Sequence, residues 1–105
     1  MDNVKNYIVT NGVSLESVGV NNYALSKTSA LHLLDILAEQ KVAVLGGDVY
    51  ISKNNQLSLT YDNWYSDKDS SESDESFCIR SIAETEKYIK NYSNTDAFFA
   101  FTLDQ

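Results

Sequence analysis

Residues 42–51 read VAVLGGDVYI, and the first four of them are apolar, as in a strand that is covered on both faces. The apolar residues lie on even positions before the two glycines, at Val42 and Val44. After the glycines they lie on odd positions, at Val49 and Ile51. Because side chains alternate between the faces of a strand, this change of parity predicts a β-bulge or a sharp bend between two strand segments.

Two more strands are predicted on the C-terminal side of this stretch. KNNQ at residues 53–56 is typical of a hairpin turn, and LSLTY at 57–61 is then the returning strand. DAFFAFTL at 96–103 has apolar residues on both faces, with Phe99 and Phe101 on one of them. We therefore place this last strand in the centre of the sheet, which favours a monomer over pairing with a second copy at an exposed edge.

The remaining segments are helical or irregular. Residues 25–41, LSKTSALHLLDILAEQK, form the clearest helix, with Ser26 as its N-cap. A second helix is predicted from about residue 74 to 92 with Ser73 as its cap, and residues 3–10 predict a short N-terminal helix. Residues 12–25 are expected to form a loop with one helical turn.

These elements predict a single domain spanning residues 1–105. The fold class is α+β: a small, mostly antiparallel sheet of about four strands, with two main helices packed on it and a short N-terminal helix.

The charge is strongly acidic and unevenly distributed. The formal net charge is −7, and residues 62–75 hold six acids and one base, so five of the seven net negative charges lie in fourteen residues. Phosphate binding needs clustered lysines and arginines, so the net charge argues against nucleic acid and against an anionic membrane surface as direct partners. The N-terminal residues lack the pattern of a signal peptide, and no run is apolar enough to span a membrane, so we expect a cytoplasmic protein.

The residue types that carry catalysis or metal binding do not form a recognisable motif. The only histidine, His32, lies between two leucines of a predicted helix, and the only cysteine, Cys78, lies on a predicted buried face. A calcium loop starting at Asp67 fails, because Glu72 replaces its glycine and Cys78 its closing acid. The glycine pair precedes a strand and Asp48, whereas phosphate loops precede a helix. We predict no enzyme, no cofactor and no metal.

The stretch YDNWY at residues 61–65 contains two tyrosines and the only tryptophan beside acidic residues. Aromatic side chains rimmed by charge are typical of protein interfaces. The alternative, of about equal weight, is that Trp64 covers one end of the core. The serine-rich part that follows, DKDSSESDE, has the composition of a solvated loop and a helix start.

Four stretches together carry a family resemblance: GVSLESVGVNNYALSKTSALHLLDIL, VAVLGGDVYI, LTYDNWY and SIAETEKYIKNY. The most specific pieces are LGGDVY and YDNWY. In these stretches the chain resembles the Immunity protein 40 family, and the resemblance runs from about residue 12 to 103. The resemblance implies an immunity protein of a bacterial polymorphic toxin system, which binds and blocks a toxin domain. It implies no catalytic residues, and no set of contact residues is carried over from it.

We therefore expect the partner to be the C-terminal domain of a cognate toxin, with a basic nuclease as the favoured type. From charge and aromatic content, the toxin-facing surface is predicted to comprise Asp48, Tyr50, Asp62, Trp64, Tyr65, Asp67 and Asp69. Two other functions fit the sequence: an acidic adaptor or regulatory module without a toxin partner, and a small-ligand or cation-binding module that uses the acidic loop.

Overall fold

The structure, a computed structural model, describes residues 2–105 and confirms the α+β class. In chain order the elements are α1 (Asn3–Asn11), β1 (Val13–Ser14), a 3₁₀ turn (Glu16–Val18), β2 (Tyr23–Ser26), α2 (Lys27–Gln40), β3 (Val44–Lys53), β4 (Gln56–Tyr65), α3 (Asp74–Asn91) and β5 (Ala97–Leu103). The sheet has the order β1-β2-β5-β3-β4, and all neighbouring strands are antiparallel. Strand β5 is central, as the sequence predicted, and β4 is an edge strand.

The strand count differs from the prediction in two ways. The two segments predicted on either side of the glycines form one continuous strand, β3, and the change of parity is a bulge between Val44 and Gly46. Strands β1 and β2 were missed. They pair with each other around the 3₁₀ turn, and β2 also pairs with β5. The apolar part of β2 is too short to show a period in the sequence, since α2 begins directly after it.

Local sequence signals fix where most elements begin and end. The side chains of Ser26 and Ser73 accept backbone N–H hydrogen bonds at the starts of α2 and α3, so both predicted N-caps are confirmed. The β3–β4 hairpin turns at Asn54 and Asn55, which have φ of 53° and 64°. A two-residue hairpin turn favours positive φ at both positions, and asparagine tolerates this conformation well.

The three helices cover one face of the sheet, and the main core lies between these two layers. Its members from the sheet include Val44, Val49, Trp64, Phe99 and Phe101. The opposite face, here called the open face, carries a smaller buried cluster of Leu15, Ala24, Tyr50, Leu57 and Ala100. The fully buried Leu15 side chain comes from the segment that joins β1 to the 3₁₀ turn, so this segment shields part of the open face.

The glycine pair and the tryptophan form one structural unit. Gly47 is paired with Trp64 across β3 and β4, and a Cβ atom at Gly47 would collide with the indole ring and with the carbonyl oxygen of Ala100. Gly46 has φ of 151°, which a residue with a side chain rarely adopts, and a Cβ atom there would collide with the backbone of β4. Glycine is therefore required at both positions, because backbone and indole occupy the space of a side chain.

The indole of Trp64 joins the sheet to α3. Its Nε1–H donates a hydrogen bond of 2.9 Å to Oγ1 of Thr85, which is fully buried in α3. The ring also stacks on Tyr88 with a centroid distance of 5.0 Å and meets Phe101 edge-on at 5.6 Å. A second buried hydroxyl on α3, that of Ser81, accepts the backbone N–H of Val44 at 3.0 Å. Two buried hydrogen bonds thus fix α3 against β3 and β4.

We predict that Thr85→Val destabilises the protein by about 1–3 kcal/mol. Valine has nearly the same shape as threonine but no hydroxyl group, so the buried indole N–H of Trp64 loses its acceptor. Thr85→Ser keeps the hydroxyl and loses one methyl group, so it is expected to destabilise the protein by only about 0.8 kcal/mol. Urea unfolding of both variants measures the difference. A valine variant as stable as the serine variant would contradict this role of Thr85.

Candidate functional site

Two of the seven predicted contact residues are buried. Trp64 is 8% exposed and lies in the main core between β4 and α3, where the alternative interpretation of the sequence placed it. Tyr50 is 4% exposed and lies in the cluster on the open face. Its burial, together with the nearby charge of Asp48, raises the pKa of its hydroxyl. In this structure neither side chain offers a partner a surface, and the two lie on opposite faces of the sheet.

Asp48 and Tyr65 lie together on the open face. Asp48 is paired with Asn63 and Gly46 with Tyr65, so the two side chains are diagonal neighbours at one end of the β3–β4 ladder. Both are exposed, and Tyr65 is exposed by 74%. Because Gly46 has no side chain, nothing from β3 covers the tyrosine ring at its paired position.

Asp62 lies on the same strand but turns towards the helical layer. Its Oδ2 accepts a hydrogen bond of 2.6 Å from the hydroxyl of Tyr92, the C-cap residue of α3. This hydrogen bond raises the pKa of Tyr92. The carboxylate of Asp62 thus contributes to the junction of β4 and α3 while the residue remains exposed.

The acidic block after β4 is folded around the only arginine of the chain. Arg80 makes a bidentate ion pair with Glu72, at 2.8 and 2.9 Å, and a second ion pair with Glu84 at 3.1 Å. Its Nη2 also donates to the carbonyl oxygen of Asp67 at 2.6 Å. These contacts hold the pKa of Glu72 down at about 2, chiefly through the hydrogen bonds from Arg80. The block forms an irregular loop followed by the start of α3, as its composition indicated, but the contacts of this loop with Arg80 were not predicted.

The ion pairs divide the acids of this block into two groups. Glu72 is bound to Arg80, and Asp74, in the first turn of α3, lies 3.0 Å from the ammonium group of Lys68. Asp67 and Asp69 remain exposed. One oxygen of Asp69 accepts hydrogen bonds from the backbone and the hydroxyl of Ser71, which lowers the pKa of Asp69. Asp67 and Asp69 therefore leave negative charge available to a partner just beyond the end of β4, and the exposed Glu75 does so in the first turn of α3.

Tyr61 was not among the predicted contact residues, yet it is exposed by 83% and has φ of 72°. It belongs to the YDNWY stretch, but its alternation with Leu57 and Leu59 suggested an ordinary strand position. The structural role of Arg80 was also missed. A signal was present in the sequence, since the only arginine lies five positions after Glu75, the last acid of the block.

Groups with potential chemical reactivity are dispersed. Within residues 2–105, no three His, Cys, Asp or Glu side chains are grouped closely enough to hold a metal ion. His32 is exposed on α2, and Cys78 is buried on α3 with a pKa raised by that burial. No helix of the described residues has the length and apolar character needed to cross a membrane.

A separate apolar groove of about 480 Å³ lies on the helical layer, between the end of α2 and the start of α3. Ala38, Cys78 and Ile82 line it, and Ile79 at its side is 65% exposed. It involves none of the seven predicted contact residues and serves below as a comparison surface.

Comparison with known proteins gives one result. The family model described as Immunity protein 40 matches residues 14–103, which is most of the chain. The match includes the glycine pair, Trp64, the acidic block and α3. No curated protein and no solved structure matches the chain.

We predict an acid transition of the loop around Arg80. The pKa of Glu72 is lowered from 4.5 to about 2, so its ionised form stabilises the folded state. That contribution is fully present above pH 4.5 and is lost as the pH falls from 4.5 to about 2. Wild type should therefore melt at a higher temperature than Glu72→Gln above this window, and the difference should vanish at its lower end. A difference that stays constant with pH would contradict the assignment.

Proposed function

The chain belongs to the Immunity protein 40 family and is thus an immunity protein, and we propose that it binds and neutralises a cognate bacterial toxin domain through the edge of strand β4. The proposed β4 edge surface comprises the exposed residues Asp48, Tyr61, Asp62, Tyr65, Asp67 and Asp69. It keeps five of the seven residues predicted from the sequence and omits the buried Tyr50 and Trp64.

The observation that supports this surface most strongly is the coincidence of exposed aromatic rings with unneutralised acid. Tyr61 and Tyr65 are the two most exposed large hydrophobic side chains of the described residues. Asp67 follows Tyr65 by two positions in the chain, and Asp48 lies beside Tyr65 on the open face. Tyrosines that supply apolar area and hydrogen bonds, surrounded by charge, are the composition expected of an interface centre and its rim.

The size of the chain permits such a contact. The described residues expose 6527 Å², and a standard interface covers roughly 800 Å² of each partner. Strand β4 has ten residues and lies at the edge of the sheet, so a partner can approach its length from one side.

We further propose that the toxin domain is basic, with a nuclease as the favoured type. An acidic surface can occupy a cleft that binds nucleic acid, and charge complementarity speeds the encounter of the two proteins. Fast association suits an inhibitor that must act before the toxin reaches its target. Cytoplasmic location is part of the same proposal, since the toxin would have to be blocked inside the cell.

The first experiment is co-expression of the tagged chain with the C-terminal domain encoded by the adjacent upstream gene. A stable complex that abolishes the toxicity of that domain would support the proposal. No complex and no protection would contradict it and would favour an acidic adaptor.

The surface is tested by charge reversal with matched controls. We predict that Asp48→Lys/Asp67→Lys raises the Kd for the toxin domain by about tenfold or more, mainly through slower association, and that the effect shrinks at high salt. Asp35→Lys/Glu39→Lys makes the same change of net charge on exposed positions of α2 and should leave the Kd within about twofold. Ile79→Lys tests the apolar groove on the helical layer in the same way.

Binding by surface plasmon resonance at two salt concentrations measures these effects, with circular dichroism as the check on folding. Equal losses in the two double variants would show that only net charge matters. A loss confined to Ile79→Lys would move the interface to the groove and overturn the β4 edge surface.

A further inference from the structure

Tyr61 has a backbone conformation that its position does not explain. Among residues 2–105, four residues other than glycine have positive φ, and three of them have ordinary reasons for it. Lys41 ends α2 as its C-cap, and Asn54 and Asn55 form the hairpin turn. Tyr61 lies within β4, where the left-handed region is unfavourable for a residue with a large side chain.

The strain is located in an irregularity of the β3–β4 ladder. Between the pairs Asp48–Asn63 and Tyr50–Leu59, β4 has three residues where β3 has only Val49. Strand β4 therefore bulges outward at residues 60–62, with Tyr61 in the middle. Bulges of this kind redirect a side chain and bend the strand that carries them.

Hydrogen bonds on both sides of Tyr61 hold the bulge in place. The hydroxyl of Thr60 donates to the carbonyl oxygen of Val49 at 2.9 Å and accepts the N–H of Asp62 at 3.0 Å. Asp62 in turn accepts the hydroxyl of Tyr92 at 2.6 Å. The bulge is thus connected to β3 on one side and to the end of α3 on the other, so its shape is set by the fold.

The side chain of Tyr61 is 83% exposed, so its packing contributes little stability to offset the strain of the backbone. Interrupting a free sheet edge also discourages aggregation, and this explains why a bulge is useful on an edge strand. It does not explain a tyrosine at the strained position, where glycine or asparagine would form the same bulge at lower cost. Strained residues of this kind are found where ligands are held.

We infer that Tyr61 is the anchor residue of the β4 edge surface and that its ring receives an arginine side chain of the toxin domain; this inference rests on the proposed function. A guanidinium group stacks on the face of a tyrosine ring and pairs with carboxylates at the same time. The exposed Asp62 adjoins Tyr61 in the chain, and the surface as a whole is acidic. A rigid bulge presents the ring without a further loss of backbone freedom on binding.

The decisive variant is Tyr61→Gly, because it removes the ring and relieves the backbone strain together. We expect its melting temperature to equal or exceed that of wild type, while its affinity for the toxin domain falls roughly thirtyfold, as for a hot-spot residue. Tyr61→Asn, which also tolerates positive φ, should behave similarly. Tyr61→Phe keeps the ring face and should retain most of the affinity.

Asn55→Gly is the matched control, since it places glycine at another position of positive φ on the same hairpin without removing an aromatic ring. Its affinity should equal that of wild type. If the wild-type chain binds the toxin domain and Tyr61→Gly binds equally well, the anchor role is overturned and the proposed function stands. If the wild-type chain neither binds nor protects, the proposed function fails and the anchor role with it.

Discussion

The fold depends on the contact between Trp64 and Gly47. Strand β3 lacks a side chain where the indole of β4 lies, and the indole reaches Thr85 of α3 with its only polar atom. One residue thereby connects the edge strand, its neighbour and the longest helix. Buried polar groups are costly unless they are paired, so this hydrogen bond also selects one orientation of α3 on the sheet. The glycines and the tryptophan are best understood as parts of one packing arrangement, although they are seventeen positions apart.

This arrangement separates the structural part of YDNWY from the part that can bind. Alternation along β4 directs Trp64 into the core and leaves Tyr65 exposed, while the bulge turns Tyr61 outward. The acidic block is divided in the same manner. Arg80 holds Glu72 in the loop, and Asp67 remains exposed beside the end of the strand. The β3–β4 hairpin therefore contributes residues both to the core and to the proposed binding surface.

The sequence predicted what depends on local pattern. Serine caps, the Asn-Asn turn, the central strand β5 and the bulge near Gly46 follow from signals within a few residues of each other, and all are found. It failed where the outcome depends on distant partners. Whether Trp64 is buried depends on Thr85 and Gly47, and the conformation of the acidic loop depends on its contacts with Arg80. The left-handed conformation of Tyr61 arises from unequal strand lengths between two ladder pairs, which no single-strand pattern reveals.

The only tryptophan provides the most direct test of the division between the core and the proposed binding surface. The chain is labelled with 5-fluorotryptophan, and the fluorine-19 resonance of Trp64 is recorded in H₂O and D₂O, free and saturated with the toxin domain. If the indole of Trp64 is buried and purely structural, its resonance should show no solvent isotope shift and should stay in place when the complex forms. A solvent isotope shift in the free protein that disappears together with a large displacement in the complex would show that Trp64 is itself a contact residue, and would contradict the division between core and binding surface.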